Sequence, residues 1–205
     1  TNTFGELSND RFRFYFVGEI KRRKNLVALL KAFHLEFSIS EPVDLVIKAN
    51  FGEESPQECK KHVGEIISQV KENLKLYQDL FDYKEEIIIT EYLTDKSLLD
   101  LHRCCDCLVA PSFAEAWCIP AFDAMGFGNT PICTDVGGMA DFIKEGGGIL
   151  VSSREEPVFG MMETFDDLYT AKETWQSIDP IGLQRAMRHV YNLHANDSLL
   201  PMQEK

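Results

Sequence analysis

The sequence lacks any apolar run that approaches the roughly 20 residues a helix needs to cross a bilayer. It is also poor in positive charge, since 21 Lys and Arg stand against 33 Asp and Glu, a net charge of -12. Such a chain is ill suited to non-specific binding of nucleic acid or anionic lipid. We therefore expect a globular protein with no transmembrane segment and no nucleic-acid partner. Any anionic ligand would need a few locally placed cations.

The cysteines do not form a recognisable metal motif. The chain has six of them, and the segment HRCCDC at 102–107 lacks a second Cys/His pair at zinc-finger spacing. It leads directly into the apolar LVAP, so we interpret these residues as small core hydrophobes and predict no metal site. Six cysteines suggest a reducing compartment, although their number is even. We expect a cytoplasmic protein. The full-length protein could place this domain at a membrane surface.

Apolar segments typical of strands alternate with segments whose apolar residues recur at helical spacing. This order predicts an α/β fold, a Rossmann-like doubly wound parallel sheet of about six strands with helices on both faces. The domain would span residues 12–192, with tails at 1–11 and 193–205, and the weakly patterned stretch 154–176 would be irregular. The predicted strands are 11–18, 43–50, 86–92, 105–112, 130–135 and 148–153.

The loop after the first predicted strand, GEIKRRKN, carries four consecutive cations from Lys21 to Lys24. In parallel sheets, ligands bind in the crevice beyond the carboxyl ends of the strands. A run of cations is often only a solvated turn. Its position before a helix N-terminus favours an anion site here.

The loop after the fourth strand, SFAEAWCIPAFDAMGFG at 112–128, places Glu115 and Asp123 on either side of a helix start. Proline is common at the first helical position, so Pro120 puts the backbone N–H groups of Cys118 and Ile119 at the helix entrance. Asp123 alone could simply face the helix dipole. Together the acids suit hydroxyl groups, with a diphosphate held between them by cations and N–H groups. That pattern predicts a nucleotide sugar as ligand.

Three stretches resemble the C-terminal, nucleotide-sugar-binding half of GT-B glycosyltransferases of the retaining family 4. They are FYFVGEIKRRKNLVALLKAF, then CDCLVAPSFAEAWCIPAFDAMGFGNTPICTDVGGMADFI, and then GGGILV. The resemblance implies that Glu115 contacts the donor sugar and that Asp123 holds the ribose. It also implies that Lys24, with Arg23 beside it, neutralises the diphosphate. The further donor-binding positions it implies are Gly18, Tyr92, Leu93, Trp117, Cys118 and Ile119.

Three positions depart from the family pattern. Asp123 stands where a glutamate is expected, Glu19 where an arginine is expected, and Cys118 where a glycine is expected. Arg23 or Arg22 could replace the missing phosphate cation.

The resemblance further implies a sugar transferase that uses a nucleoside-diphosphate sugar and no obligatory cofactor. Family members carry a preceding acceptor-binding domain, so we expect this chain to bind donor but not to transfer sugar alone. Two alternatives stay open at this point. One is a non-catalytic nucleotide-binding or regulatory α/β module, and the other is a different GT-B enzyme such as a nucleotide-sugar epimerase.

Overall fold

The computed structural model describes residues 11–161, 168–170 and 172–195. Its centre is a six-stranded sheet in the order β3-β2-β1-β4-β5-β6, with every neighbouring pair parallel. The predicted fold class is confirmed. The strands are β1 (Phe12–Glu19), β2 (Val43–Asn50), β3 (Glu86–Ile89), β4 (Cys107–Ala110), β5 (Ile132–Thr134) and β6 (Ile149–Val151).

Six α-helices of the described residues cover the two faces of this sheet. Side chains alternate across a strand, so Phe14 and Phe16 pack in one core cluster while Tyr15 packs in the other. The first cluster includes residues of α1, α2 and α6, and the second includes residues of α3, α4 and α5. The helices are α1 (Leu26–Glu36), α2 (Pro56–Leu74), α3 (Asp95–Cys104), α4 (Ile119–Gly126), α5 (Met139–Gly146) and α6 (Pro180–Ala195).

Polar side chains cap two of the helix starts. Ser55 and Glu58 form a reciprocal capping box before α2, which satisfies two backbone donors that a helix start leaves free. The Asp179 carboxylate accepts hydrogen bonds from the N–H groups of Ile181 and Gly182 at the start of α6. Helix α4 begins one residue earlier than predicted, so Pro120 is its second residue.

The prediction that residues 154–176 are irregular was wrong at both ends of that stretch. Strand β7 (Ser153–Pro157) pairs antiparallel with β8 (Thr174–Ile178). These strands are polar and partly exposed, so they lack the apolar run that identified the central strands. Their anchor is a long-range contact, a stack of the Trp175 and Phe113 rings at 4.2 Å, which local patterning cannot show.

Strands β3 and β4 end before their predicted limits, at Ile89 and Ala110. The residues beyond them therefore lie in loops at the carboxyl edge of the sheet. The predicted tails at 1–11 and 193–205 fall mostly outside the described residues. Within the described part of the chain, no helix is long and apolar enough to cross a membrane, and no group of His, Cys, Asp and Glu side chains could hold a metal ion.

Candidate functional site

The tips of β1 and β4 bring the two predicted ligand loops together. The turn Arg22–Lys24 follows β1, and the Phe113 N–H donates to the Arg23 carbonyl at 2.9 Å. Asn25 adopts a left-handed conformation (φ 55°), and its side-chain amide donates to the Pro111 carbonyl. Asparagine tolerates this conformation better than most residues. The loop after β1 is thus fastened to the loop after β4.

Glu115 lies at the centre of the joined loops, and its side chain is only 7% exposed. Its Oε1 atom is 2.5 Å from Lys24 Nζ and 3.0 Å from an Arg23 guanidinium nitrogen, and it accepts a hydrogen bond from Ser112 Oγ at 3.0 Å. Burial alone would raise the pKa of the Glu115 carboxyl, but the hydrogen bonds and charges of Lys24 and Arg23 outweigh it and hold the pKa below its ordinary value. Glu115 is therefore ionised at neutral pH.

The two oxygens of the Glu115 carboxylate have different surroundings. All of the contacts just described end on Oε1. Among the described residues, none hydrogen-bonds to Oε2. Oε2 is not one of the fully buried side-chain atoms that lack a hydrogen-bond partner, such as His102 Nε2 and Thr134 Oγ1. The second oxygen is therefore free to accept hydrogen bonds from a ligand.

Two glycines that are not among the predicted site residues hold the Glu115 loop against the start of α5. A Cβ atom on Gly137, whose φ is 57°, would lie 1.9 Å from the Glu115 carbonyl oxygen. A Cβ atom on Gly138 would lie 2.2 Å from the Ala116 carbonyl oxygen. Only glycine permits such close backbone approach. The Gly-Gly pair between β5 and α5 was the available sequence signal.

The start of α4 presents backbone donors beside this cluster. Cys118 has φ 65° and is buried at the helix N-cap, so a cysteine occupies the left-handed position that the family pattern gives to glycine. Within the described part of the chain, the N–H groups of Cys118 and Ile119 make no backbone hydrogen bond, whereas that of Ala121 bonds to the Cys118 carbonyl. Burial, followed by the Glu115 charge, raises the pKa of the Cys118 thiol to about 11. The thiol is therefore protonated at neutral pH.

Asp123 lies on α4, half-buried, and is not joined to the cluster by a contact. Across the described residues, no hydrogen bond or ion pair links its carboxylate to Lys24, Arg23 or Glu115. Its negative charge instead acts on buried His102 of α3, where burial lowers the imidazole pKa and Asp123 partly opposes that shift.

The other predicted positions lie around the same edge of the sheet. Tyr92 is fully exposed, and Leu93 packs on the core cluster under α3. Trp117 is 44% exposed, with its ring 5.0 Å from Phe142. Gly18 lies close to the Lys24 side chain, where an added Cβ would be 3.7 Å from Lys24 Cδ.

The cations of the first loop divide between two directions. Arg23 and Lys24 contact Glu115, and Arg23 also donates to the Ala114 carbonyl at 2.6 Å. Lys21 pairs with Glu19, and the Arg22 guanidinium lies over the rings of Phe159 and Trp175. Arg22 and Arg23 were the two candidates to replace the arginine that the family pattern has at position 19. Of the two, Arg23 is the one that contacts Glu115.

Comparison with known proteins agrees with this fold. Sucrose-phosphate synthase from Thermosynechococcus elongatus superposes with a TM-score of 0.63 at 19% identity, over 97% of this chain and 40% of that one. The glycosyltransferase WaaG, described as involved in lipopolysaccharide biosynthesis, gives 0.61 at 14% identity, over 98% and 42%. The C-terminal domain of the group 1 glycosyl transferase LpcC from Francisella tularensis gives 0.51 at 20% identity, over 69% and 67%.

The chain spans about two fifths of the length of the first two of these proteins. No curated protein matches it in sequence. The family model described as glycosyl transferases group 1 matches residues 3–159, more than half of the chain. With the fold and this match together, the chain belongs to the glycosyl transferases group 1 family.

Proposed function

We propose that this chain is the C-terminal donor-binding domain of a retaining glycosyltransferase of family 4 type. The observation that carries the proposal is the asymmetry of Glu115. Cations and a hydroxyl group hold one carboxylate oxygen, and the other has no hydrogen-bond partner among the described residues. A fixed, ionised acceptor of this kind suits the hydroxyl groups of a donor sugar, which it would orient without acting as a nucleophile.

Lys24 and Arg23 would stabilise the charge that develops on the nucleoside diphosphate as it leaves. The Lys24 ammonium carries three donors and uses one on Glu115 in the structure, so it can serve a phosphate oxygen at the same time. The N–H groups of Cys118 and Ile119 would contact the distal phosphate. The catalysis proposed is electrostatic and involves no obligatory metal or cofactor.

Asp123 would accept the ribose hydroxyls, and the loop of Tyr92 and Leu93 would pack against the base. The side chain of aspartate is one methylene shorter than that of the glutamate in the family pattern, so a bridging water would complete the ribose contact. Trp117 and Gly18 would border the donor. The partner of this domain would be a preceding acceptor-binding domain, and this chain alone would bind donor without transferring sugar.

A thermal-shift screen of nucleoside diphosphates and nucleotide sugars tests the proposal. A ligand that binds only the folded state adds about 2.7 kcal/mol to the free energy of unfolding at 100 times its Kd. We expect at least one nucleoside diphosphate at millimolar concentration to raise the melting temperature.

Lys24→Ala should abolish that rise, because it removes the central phosphate donor. Lys31→Ala makes the same change of charge at an exposed position of α1 and should retain the rise. If no nucleoside diphosphate or nucleotide sugar stabilises the wild type, or if both variants respond alike, donor binding at Lys24 is wrong.

A further inference from the structure

A separate cavity of about 400 Å³ lies beside the first strand–helix loop. It is within the size range of small-molecule sites, about 300–1,000 Å³. Its walls come from α1, α2 and the loops after β1, β2 and β4. None of Lys24, Glu115, Cys118, Ile119 and Asp123 lines it, so it is distinct from the proposed donor site. Its lining residues are Ile20, Lys21, Arg22, Asn25, Leu26, Val27, Phe51, His62, Ile66, Phe113 and Gly160.

The charge of this lining is opposite to that of the chain. Lys21, Arg22 and His62 border the cavity, and among the described residues no acid does, although the whole chain carries a net charge of -12. Glu19 pairs with Lys21, and Glu54 lies 3.6 Å from His62. Glu19 therefore moderates the charge of Lys21 from outside the cavity.

Arg22 is the cation that stays available. No carboxylate of the described residues pairs with it. Its guanidinium carbon lies 5.8 Å from the Phe159 ring centroid and 5.9 Å from that of Trp175. A guanidinium near aromatic rings gains cation–π stabilisation and keeps N–H donors for an anion. An exposed arginine without a carboxylate partner among the described residues can form a bidentate contact with a phosphate.

The remaining wall is apolar. It is formed by Ile20, Leu26, Phe51, Ile66 and Phe113. We propose that this cavity binds a second ligand, a phosphate monoester with an aromatic or other apolar body, independently of the donor. The dianionic phosphate would meet Arg22 and Lys21, and the body would displace water from the apolar wall. This site goes beyond the proposed function and does not depend on it.

Titration calorimetry with phenyl phosphate on the full chain tests the proposal. It is run in the presence of a saturating nucleoside diphosphate from the screen, or with none if the screen finds no ligand. Two control ligands are titrated in the same way. Inorganic phosphate has the charge without the ring, and benzyl alcohol has the ring without the charge. We expect phenyl phosphate to bind at least tenfold more tightly than either.

Two variants locate the ligand. Arg22→Ala should weaken phenyl phosphate at least tenfold, while Arg185→Ala, the same change at an exposed position of α6, should not. Val27→Trp changes a partly exposed residue of the lining and should block phenyl phosphate by filling the cavity while leaving nucleotide stabilisation unchanged.

Three results would overturn the proposal. They are phenyl phosphate binding no tighter than inorganic phosphate, equal effects of Arg22→Ala and Arg185→Ala, and competition between phenyl phosphate and the nucleoside diphosphate. Competition would mean that one site takes both ligands. Absence of nucleotide binding would contradict the donor proposal alone, since phenyl phosphate is then titrated without it.

Discussion

At the scale of single residues, Glu115 shows how the fold keeps a largely buried acid charged. Its carboxyl pKa is lowered from 4.5, because the contacts from Lys24, Arg23 and Ser112 outweigh the effect of burial. A group whose pKa is lower in the folded state stabilises the fold above its unfolded pKa. That stabilisation is lost as the pH falls through the folded value.

We expect the free energy of unfolding of the wild type to fall more steeply than that of Glu115→Gln as the pH drops below about 4.5. Urea unfolding between pH 6 and pH 3 measures both curves. Other acids with lowered pKa values, such as Glu41 and Glu86, affect both proteins alike, so the difference between the curves isolates Glu115. Parallel curves would show that Lys24 and Arg23 do not hold its charge.

At the scale of elements, the position of the Glu115 loop depends on how closely the start of α5 approaches it. Gly137→Ala would place a Cβ atom 1.9 Å from the Glu115 carbonyl oxygen at a positive φ. We expect a loss of about 2 kcal/mol or more in the free energy of unfolding, together with weaker nucleotide binding. Urea unfolding and the thermal-shift screen measure the two effects.

Gly64→Ala is the matched control. Gly64 lies inside α2, and a Cβ atom there would meet nothing within 4 Å. Alanine is the better helix former, so this variant should gain roughly 0.5–1 kcal/mol. If Gly137→Ala behaves like Gly64→Ala, the close approach does not position the loop.

Element types were largely predictable from the sequence, whereas several limits and contacts were not. The central apolar strands depend on local patterns, so they were identified correctly. Strands β7 and β8 depend on the pairing of polar segments and on the distant Phe113–Trp175 stack. Such contacts have no local signature.

At the scale of the whole molecule, the sheet order brings the loops after β1 and β4 together, and this adjacency makes the site. The sequence predicted both loops, and the parallel topology placed Lys24, Arg23 and Glu115 in contact. It did not predict that Lys21 and Arg22 would diverge from Lys24, because the direction of each side chain depends on the turn at 22–24. The ribose role of Asp123 stays a prediction.

A crystal structure of this chain with the nucleoside diphosphate that stabilises it most would test donor binding directly. Donor binding at this site predicts phosphate oxygens within hydrogen-bonding distance of Lys24 Nζ and of the Cys118 and Ile119 N–H groups, with the ribose hydroxyls at Asp123. A nucleotide bound elsewhere, or one whose phosphates leave the Lys24–Glu115 pair untouched, would contradict it.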